Sequence, residues 1–332
     1  MNNDSSNSAG RFARPLHLAR RGARRHGGLS LALAGLASAA ALTACSVPST
    51  SATGASGSQP ATATAASIPK SSVDQQLRAM LPASIKSSGV LRIATTTGNA
   101  PMDFATANGT PEGLDIDLAT AAAQLLGVKP QFFETQFSGL IAAESSGRTD
   151  VIWGAMNDNA QREKQVTFVD YFKHGFSVLV PKGNPQKIES PANFCGLTFA
   201  ESQGSVFQTL VPQLSQQNCT SKGKSPINVT IYPDNQGTFQ ALATNRVNAI
   251  MAAQEQVAYQ ADLNSALDPV PSINLNVVHY GIGVLPGNTQ LIACMKATVE
   301  KLIENGTYLD ILKKWGLQAQ AIPAVVLNQP SA

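Results

Sequence analysis

From residue 91 to residue 285, short apolar runs of strand length alternate with stretches of helical period, and this alternation constrains the fold more than any other feature. Residues 91–96 read as a strand. Leu118, Ala122, Leu125 and Leu126 then recur at helical spacing until Gly127 ends the run. Residues 131–134 form the next strand, Ser138 is the expected cap of a short helix through Ser145, and residues 150–155 form the third strand. A second set begins at residues 176–181, with strands expected at 197–201, 229–233 and 249–252 and helices at 205–214, 236–244 and 254–263. The strand at 276–285 and an amphipathic helix through Leu291, Ile292, Met295, Val299, Leu302 and Ile303 follow. Asn305-Gly306 stops that helix, and Leu309, Ile311, Leu312 and Trp315 complete the core. Strands alternating with helices predict an α/β fold with a parallel sheet, whose ligands bind beyond the carboxyl ends of the strands. The loops starting near Thr95, Thr135 and Ala155 should therefore converge.

The third of these loops carries the most chemistry. Val151, Ile152 and Trp153 form a buried-looking run, and Gly154-Ala155 permits close approach of a ligand or another backbone. Asn159 is the expected cap of a helix beginning at Ala160, which puts Arg162 in the first turn, where the macrodipole disfavours a cation by roughly 0.3–1 kcal/mol. Two readings stand: the guanidinium is solvated or pairs with Asp158, or it grips a carboxylate together with the amides of the helix start. Gly204-Ser205 offers a similar helix start in the second set.

The ends of the chain are of a different kind. Arg11, Arg14, Arg20, Arg21, Arg24 and Arg25 precede an apolar run from Leu29 to Leu42, the layout of an export signal. That run ends at Leu42-Thr43-Ala44-Cys45, which resembles the lipobox of bacterial lipoproteins, so residues 1–44 are expected to be removed and Cys45 lipidated at the membrane. Residues 45–72 are Ser, Ala, Thr and Pro with few aliphatic side chains, a tether that cannot offset its own chain entropy. Much of the formal net charge of +3 lies in the removed segment, which argues against a nucleic-acid partner. Export puts Cys195, Cys219 and Cys294 in an oxidising compartment. Cys195 and Cys219 flank one strand-helix unit and are the favoured disulfide, with Cys294 a small core residue. No Cys/His group has metal-ligand spacing, and no cofactor is expected.

Seven segments follow, in order, the pattern of the polar amino acid class of extracellular solute-binding proteins, the receptors of ABC importers. They are residues 91–104, 113–118, 137–141, 150–162, 166–171, 280–284 and 304–316. The resemblance implies a two-lobed periplasmic-binding-protein-like fold with two hinge strands, lobe 1 holding residues 73–173 and 280–320, lobe 2 residues 174–279, and 321–332 a C-terminal tail. It implies a monomer that closes over a small carboxylate or amino acid and delivers it to a membrane permease. Arg162 takes the position of the carboxylate-binding arginine, Gly154 and Asn157 hold the solute's main-chain groups, Ser205 also faces the carboxylate, and Phe137 is the aromatic wall.

Departures from the pattern fall at the amine end. Ala253 stands where an aspartate would pair with an α-ammonium, so either Gln254 or Glu255 takes over or the solute has no free amine. Asn99 replaces a second aromatic and Thr96 a usual acid. Some proteins resembling this family are dehydratases of cyclohexadienyl acids, a second reading that would use Glu201, Glu255 or Asp103 as general acid.

Overall fold

A computed structural model describes residues 71–329. The expected signal segment 1–44, Cys45 and nearly all of the tether 45–72 lie outside the described residues. Two short helices, α1 (Gln75–Met80) and α2 (Ala83–Ser88), lead into β1 (Val90–Thr95), and a small antiparallel sheet of β2 (Gly98–Asn99), β3 (Asp103–Ala105) and β4 (Pro111–Glu112) follows. Helix α3 (Leu114–Leu126) is buried along most of its length and ends at Gly127 in the left-handed region, as the sequence predicts. Next come β5 (Lys129–Glu134), α4 (Leu140–Ser145), β6 (Val151–Ile152) and the long β7 (Thr167–Pro181). The second set comprises β8 (Thr198–Ser202), α5 (Phe207–Asn218), β9 (Asn228–Tyr232), α6 (Asn235–Ala243), β10 (Ala249–Ala253) and α7 (Gln254–Leu263). After β11 (Leu267–Pro269), the strand β12 (Leu275–Val284) leads back to α8 (Thr289–Glu304) and α9 (Thr307–Lys314).

The main sheet runs β5-β1-β6-β12-β7-β10-β8-β9, with β11 also on β7. Its outer strands pair in parallel, β1 with β5 and β6, and β8 with β9 and β10, while β7 and β12 are antiparallel to each other and to their neighbours at the centre. The mixed α/β architecture is thus as expected, with the all-parallel reading corrected at these central strands.

The apolar core divides into two lobes. Leu91, Ile93, Trp153, Tyr171, Ile282, Leu302 and Leu312 belong to the first. Phe176, Val178, Phe199, Met251 and Val278 belong to the second, with Leu179, Leu242 and Ile250 on its other face. Fully burying such a side chain contributes roughly 1.5–3 kcal/mol. Strands β7 and β12 supply residues to both lobes and cross between them where Lys173 pairs with His279. Their close approach depends on Gly281, where a Cβ would lie 2.7 Å from Asp170 Oδ1 and 2.8 Å from Phe168 Cβ.

Cys195 and Cys219 are bridged, and Cys294 is free and buried, both as expected. At a sequence separation of 24 the closed loop stabilises the second lobe by about 3 kcal/mol in the chain-entropy account. Several local expectations are corrected. The helix expected from Ala160 is a single 3-10 turn at Arg162–Lys164, with Asn159 Oδ1 accepting from the amides of Gln161 and Arg162. Ser138 lies inside a 3-10 turn before α4 rather than capping it. Leu309, expected in the core, is 39% exposed. Residues 321–329, expected in a tail, pack on the first lobe: Ile322 and Val325 are buried, and Leu327 bridges to Val169 of β7.

Candidate functional site

The carboxyl ends of strands from both lobes meet at one place, because parallel strands of each lobe point their exits toward the other. From the first lobe β1 exits into Thr96, β2 carries Asn99, the turn before α4 carries Phe137, and β6 exits through Ala155 to Asn157. From the second lobe β8 exits through Ser202 to Ser205, α6 begins at Asn235, and β10 ends at Ala253 with Gln256 in the first turn of α7. These residues, together with Val206, Phe207 and Tyr280 but without Thr96, wall a cavity of about 40 Å³. Thr96 lies in an adjoining cleft of about 110 Å³ that shares Asn99, Phe137, Ser202 and Asn235.

Buried acids shape the floor. Asp103 accepts hydrogen bonds from Thr95 Oγ1, Thr96 N and Thr96 Oγ1, each 3.0 Å. Burial outweighs these bonds and pushes its carboxyl up to about 6. Gly154 leaves room for it, since a Cβ there would lie 3.0 Å from Asp103 Oδ2. Gly154 therefore serves the floor and does not line the cavity. Asp115 accepts from Ala155 N (2.7 Å) and Tyr171 Oη (2.6 Å), which holds Ala155 at a φ of 45° and turns the chain out of β6 after two residues.

Polar groups in the walls mostly satisfy one another across the lobes. Asn99 Oδ1 accepts from Asn235 Nδ2 (3.0 Å) and from Gln256 Nε2, both in the second lobe. Asn157 Nδ2 donates to His174 Nε2 (2.9 Å). Ser205 Oγ is buried and has no hydrogen-bond partner among the described residues. Its amide donates to Ser202 O and α5 starts only at Phe207, so Ser205 offers a hydroxyl where the sequence suggested a helix-start amide.

Arg162 is 9% exposed. Its Nη1 donates to Asn157 O (2.7 Å) and its Nη2 to Gly204 O (2.9 Å), so one guanidinium ties the first lobe to the second. The group also sits 5.2 Å from the centre of the Phe137 ring, a cation–π distance. Burial lowers it to about 10, which leaves it a cation at neutral pH, and Asp158 opposes the shift. Arg162 lines an outer depression of about 670 Å³ rather than the small cavity, and Phe137, Ser205 and Val206 are common to both walls. The guanidinium thus stands beside the cavity, in a depression that shares three wall residues with it. It has more N–H donors than these two bonds use.

The fold that positions this site has counterparts among known proteins. The description "Bacterial extracellular solute-binding proteins, family 3" matches residues 91–318. The chain belongs to that family. A solved structure of an ancestral arginine-binding protein bound to glutamine is 31% identical to this solute-binding protein, with a TM-score of 0.63, covering 69% of this chain and 98% of that one. The arginine-binding protein ArgT of Corynebacterium glutamicum is 24% identical over 254 residues, 76% of this chain and 83% of that protein. The cyclohexadienyl dehydratase of Pseudomonas aeruginosa is 26% identical over 199 residues, 56% of this chain and 65% of that protein.

In this solute-binding protein Glu255 is 3% exposed and lies outside the cavity wall, accepting a bond from Tyr280 Oη (2.9 Å). Burial raises its carboxyl to about 7. Glu201 is also fully buried and raised well above the usual carboxylate range by desolvation, and it too is absent from the wall. Sequence reasoning missed Ser202, Asn235, Gln256 and Tyr280. Ser202 and Gln256 sit just outside residues that were singled out, and the strand-exit rule applied to every strand would have found Ser202. Among the described residues no group of His, Cys, Asp and Glu could hold a metal ion.

Proposed function

We propose that this protein is the solute-capturing component of an ABC importer and that it holds an amino acid between its lobes. In this reading residues 73–173 with 280–320 and residues 174–279 hinge about β7 and β12, Cys45 is lipid-anchored after export, and a membrane permease receives the solute. The observation that carries it is the Arg162 guanidinium, hydrogen-bonded to a carbonyl of each lobe beside a cavity walled by amides and hydroxyls from both. A solute carboxylate would take remaining guanidinium donors and the Ser205 hydroxyl. Its polar groups would replace the Asn99, Asn235 and Gln256 contacts, which the opened lobes release. Phe137 gives a flat wall common to the cavity and the outer depression. Charge-assisted bonds of roughly 1.5–3 kcal/mol each, minus the bonds displaced, are compatible with the roughly 8 kcal/mol that micromolar affinity requires.

The test is a thermal-shift screen of the proteinogenic amino acids against the purified protein, followed by calorimetry. A solute at about 100 times its dissociation constant adds roughly 2.7 kcal/mol of stability. Arginine and glutamine are the first to try, since relatives are named for the one or are bound to the other. If no amino acid shifts the transition, the reading fails. A dehydratase reading draws on the Pseudomonas aeruginosa relative and requires a general acid within reach of the solute. Asp103, Glu201 and Glu255 all lie behind the wall, and turnover of a cyclohexadienyl acid by the protein is the result that would favour it.

A further inference from the structure

We propose that the α-ammonium of the solute is held by the Tyr280 phenol oxygen, with the Glu255 carboxylate behind it as counter-charge, in place of a carboxylate in the wall itself. The proposal rests on the amino-acid reading above and assigns its amine end. Ala253 lines the cavity with a methyl group, and no carboxylate is among the described residues of the wall. An ammonium enclosed there without a counter-charge costs several kcal/mol. Tyr280 lines the same cavity, and its hydroxyl donates to Glu255 Oε1 at 2.9 Å. The phenol oxygen keeps a lone pair for an incoming donor. Its ring packs against Phe172 (5.8 Å between centroids) and His174 (4.0 Å), two neighbours on β7 that limit its movement.

Among the described residues no charged cation pairs with Glu255, and its Oε2 is buried with no hydrogen-bond partner. The nearest basic group is His174 Nδ1 at 3.9 Å, but burial lowers that imidazole to about 3, so it is neutral. Both its nitrogens are in use, Nδ1 with Gly175 O (3.2 Å) and Nε2 with Asn157 Nδ2 (2.9 Å). The other titratable groups felt by the pair are Asp115 on α3, Asp103 on β3, the Tyr171 phenol on β7, which stays neutral, and Arg162. Asp115 and Asp103 add negative potential when ionised, and the Arg162 cation is engaged by Asn157 and Gly204. A second cation arriving at Tyr280 supplies what the pair lacks. Because burial puts Glu255 at about 7 and the arriving ammonium favours its ionised form, binding at neutral pH should release a fraction of a proton and should tighten as pH rises through 7.

The test is calorimetry on the whole protein with L-glutamine and with glutaramate, which has hydrogen in place of the α-amino group, and with L-arginine and its des-amino counterpart in parallel. Titrations near pH 7 in buffers of different ionisation heat count the protons released. The amino acid should bind better than its des-amino form by roughly a hundredfold. Glu255→Gln keeps an acceptor for Tyr280 and removes only the charge. It should cut that preference about tenfold or more, abolish proton release, and leave the des-amino affinity nearly unchanged. Tyr280→Phe should cut the same preference. An unchanged preference in Glu255→Gln, or no proton release from the native protein, overturns the proposal, and the second result needs no variant to fold. Equal binding of the des-amino acid overturns it as well. Should neither amino acid bind the native protein, the amino-acid reading falls first and this assignment with it.

Discussion

Gly204 separates the cost of folding from the cost of closing. It belongs to the second lobe, has a φ of +82°, and accepts Arg162 Nη2 through its carbonyl. A Cβ built on it would meet Ser138 of the first lobe, 3.1 Å from both Cα and Cβ. Gly204→Ala therefore introduces two penalties of different character. The left-handed backbone disfavours alanine by about 1–2 kcal/mol, and this applies whether the lobes are open or closed. The contact with Ser138 exists only when they are closed, and two carbons a few tenths of an ångström too near cost about 1–2 kcal/mol before the neighbours yield. The first penalty lowers the melting temperature and cancels from the binding equilibrium. The second weakens binding about tenfold. Calorimetric titration and thermal unfolding read them separately. Ser138→Gly, which removes one of the two clashing carbons, should restore part of the affinity of Gly204→Ala and none of its thermal stability. An affinity within threefold of the native protein would refute the idea that this contact belongs to the bound state.

Arg162→Ala should weaken carboxylate binding by a hundredfold or more, the loss of two charge-assisted hydrogen bonds, while far-ultraviolet circular dichroism stays unchanged. Arg162→Lys should recover only part of it, because one ammonium cannot serve a carbonyl of each lobe and a carboxylate together. Glu144 is pushed up to about 8, chiefly by burial, against the bond it accepts from Leu285 N (2.8 Å). Its folded value lies above its unfolded one, so the stability it confers is complete below about 4.5 and is lost as pH rises through 8. Glu144→Gln should flatten that loss by a few kcal/mol, seen as a smaller fall in unfolding midpoint from pH 5 to 8.5 than in the native protein. Parallel curves would refute it.

The fold was legible wherever local pattern and tertiary environment agree. Helix α7 runs Gln254–Leu263, the bounds its sequence suggests. The sequence suggests a strand from residue 176, yet β7 begins at Thr167. Asp170, Lys173 and His174 interrupt the apolar pattern there. Two of these polar groups are absorbed by partners far along the chain, Gln329 for Asp170 and Asn157 for His174. Strand β6 is shorter than its sequence suggests for the converse reason. Trp153 and Ala155 look like strand residues, but Asp115 captures the Ala155 amide and turns the chain away. At the candidate site, Asn99, Phe137, Asn157, Arg162 and Ser205 are visible through the resemblance. Tyr280 and Asn235 are not, because their side chains reach the cavity only through the crossing of β12 and the packing of α6 against β2. The resemblance suggests Glu255 for the wall, yet its side chain lies outside it, bonded to Tyr280.

The last described residues have a practical bearing on anyone wishing to turn this receptor into a reporter. Phe168 and Asp170 of β7 bond to Val326, Asn328 and Gln329, a few residues before Lys173. If closure turns about β7 as proposed, a fluorophore or purification handle fused after Gln329 would pull on that strand, so it would both report closure and bias it. A label placed ahead of Asp74, whose amide is anchored to Leu125 O, would leave β7 free.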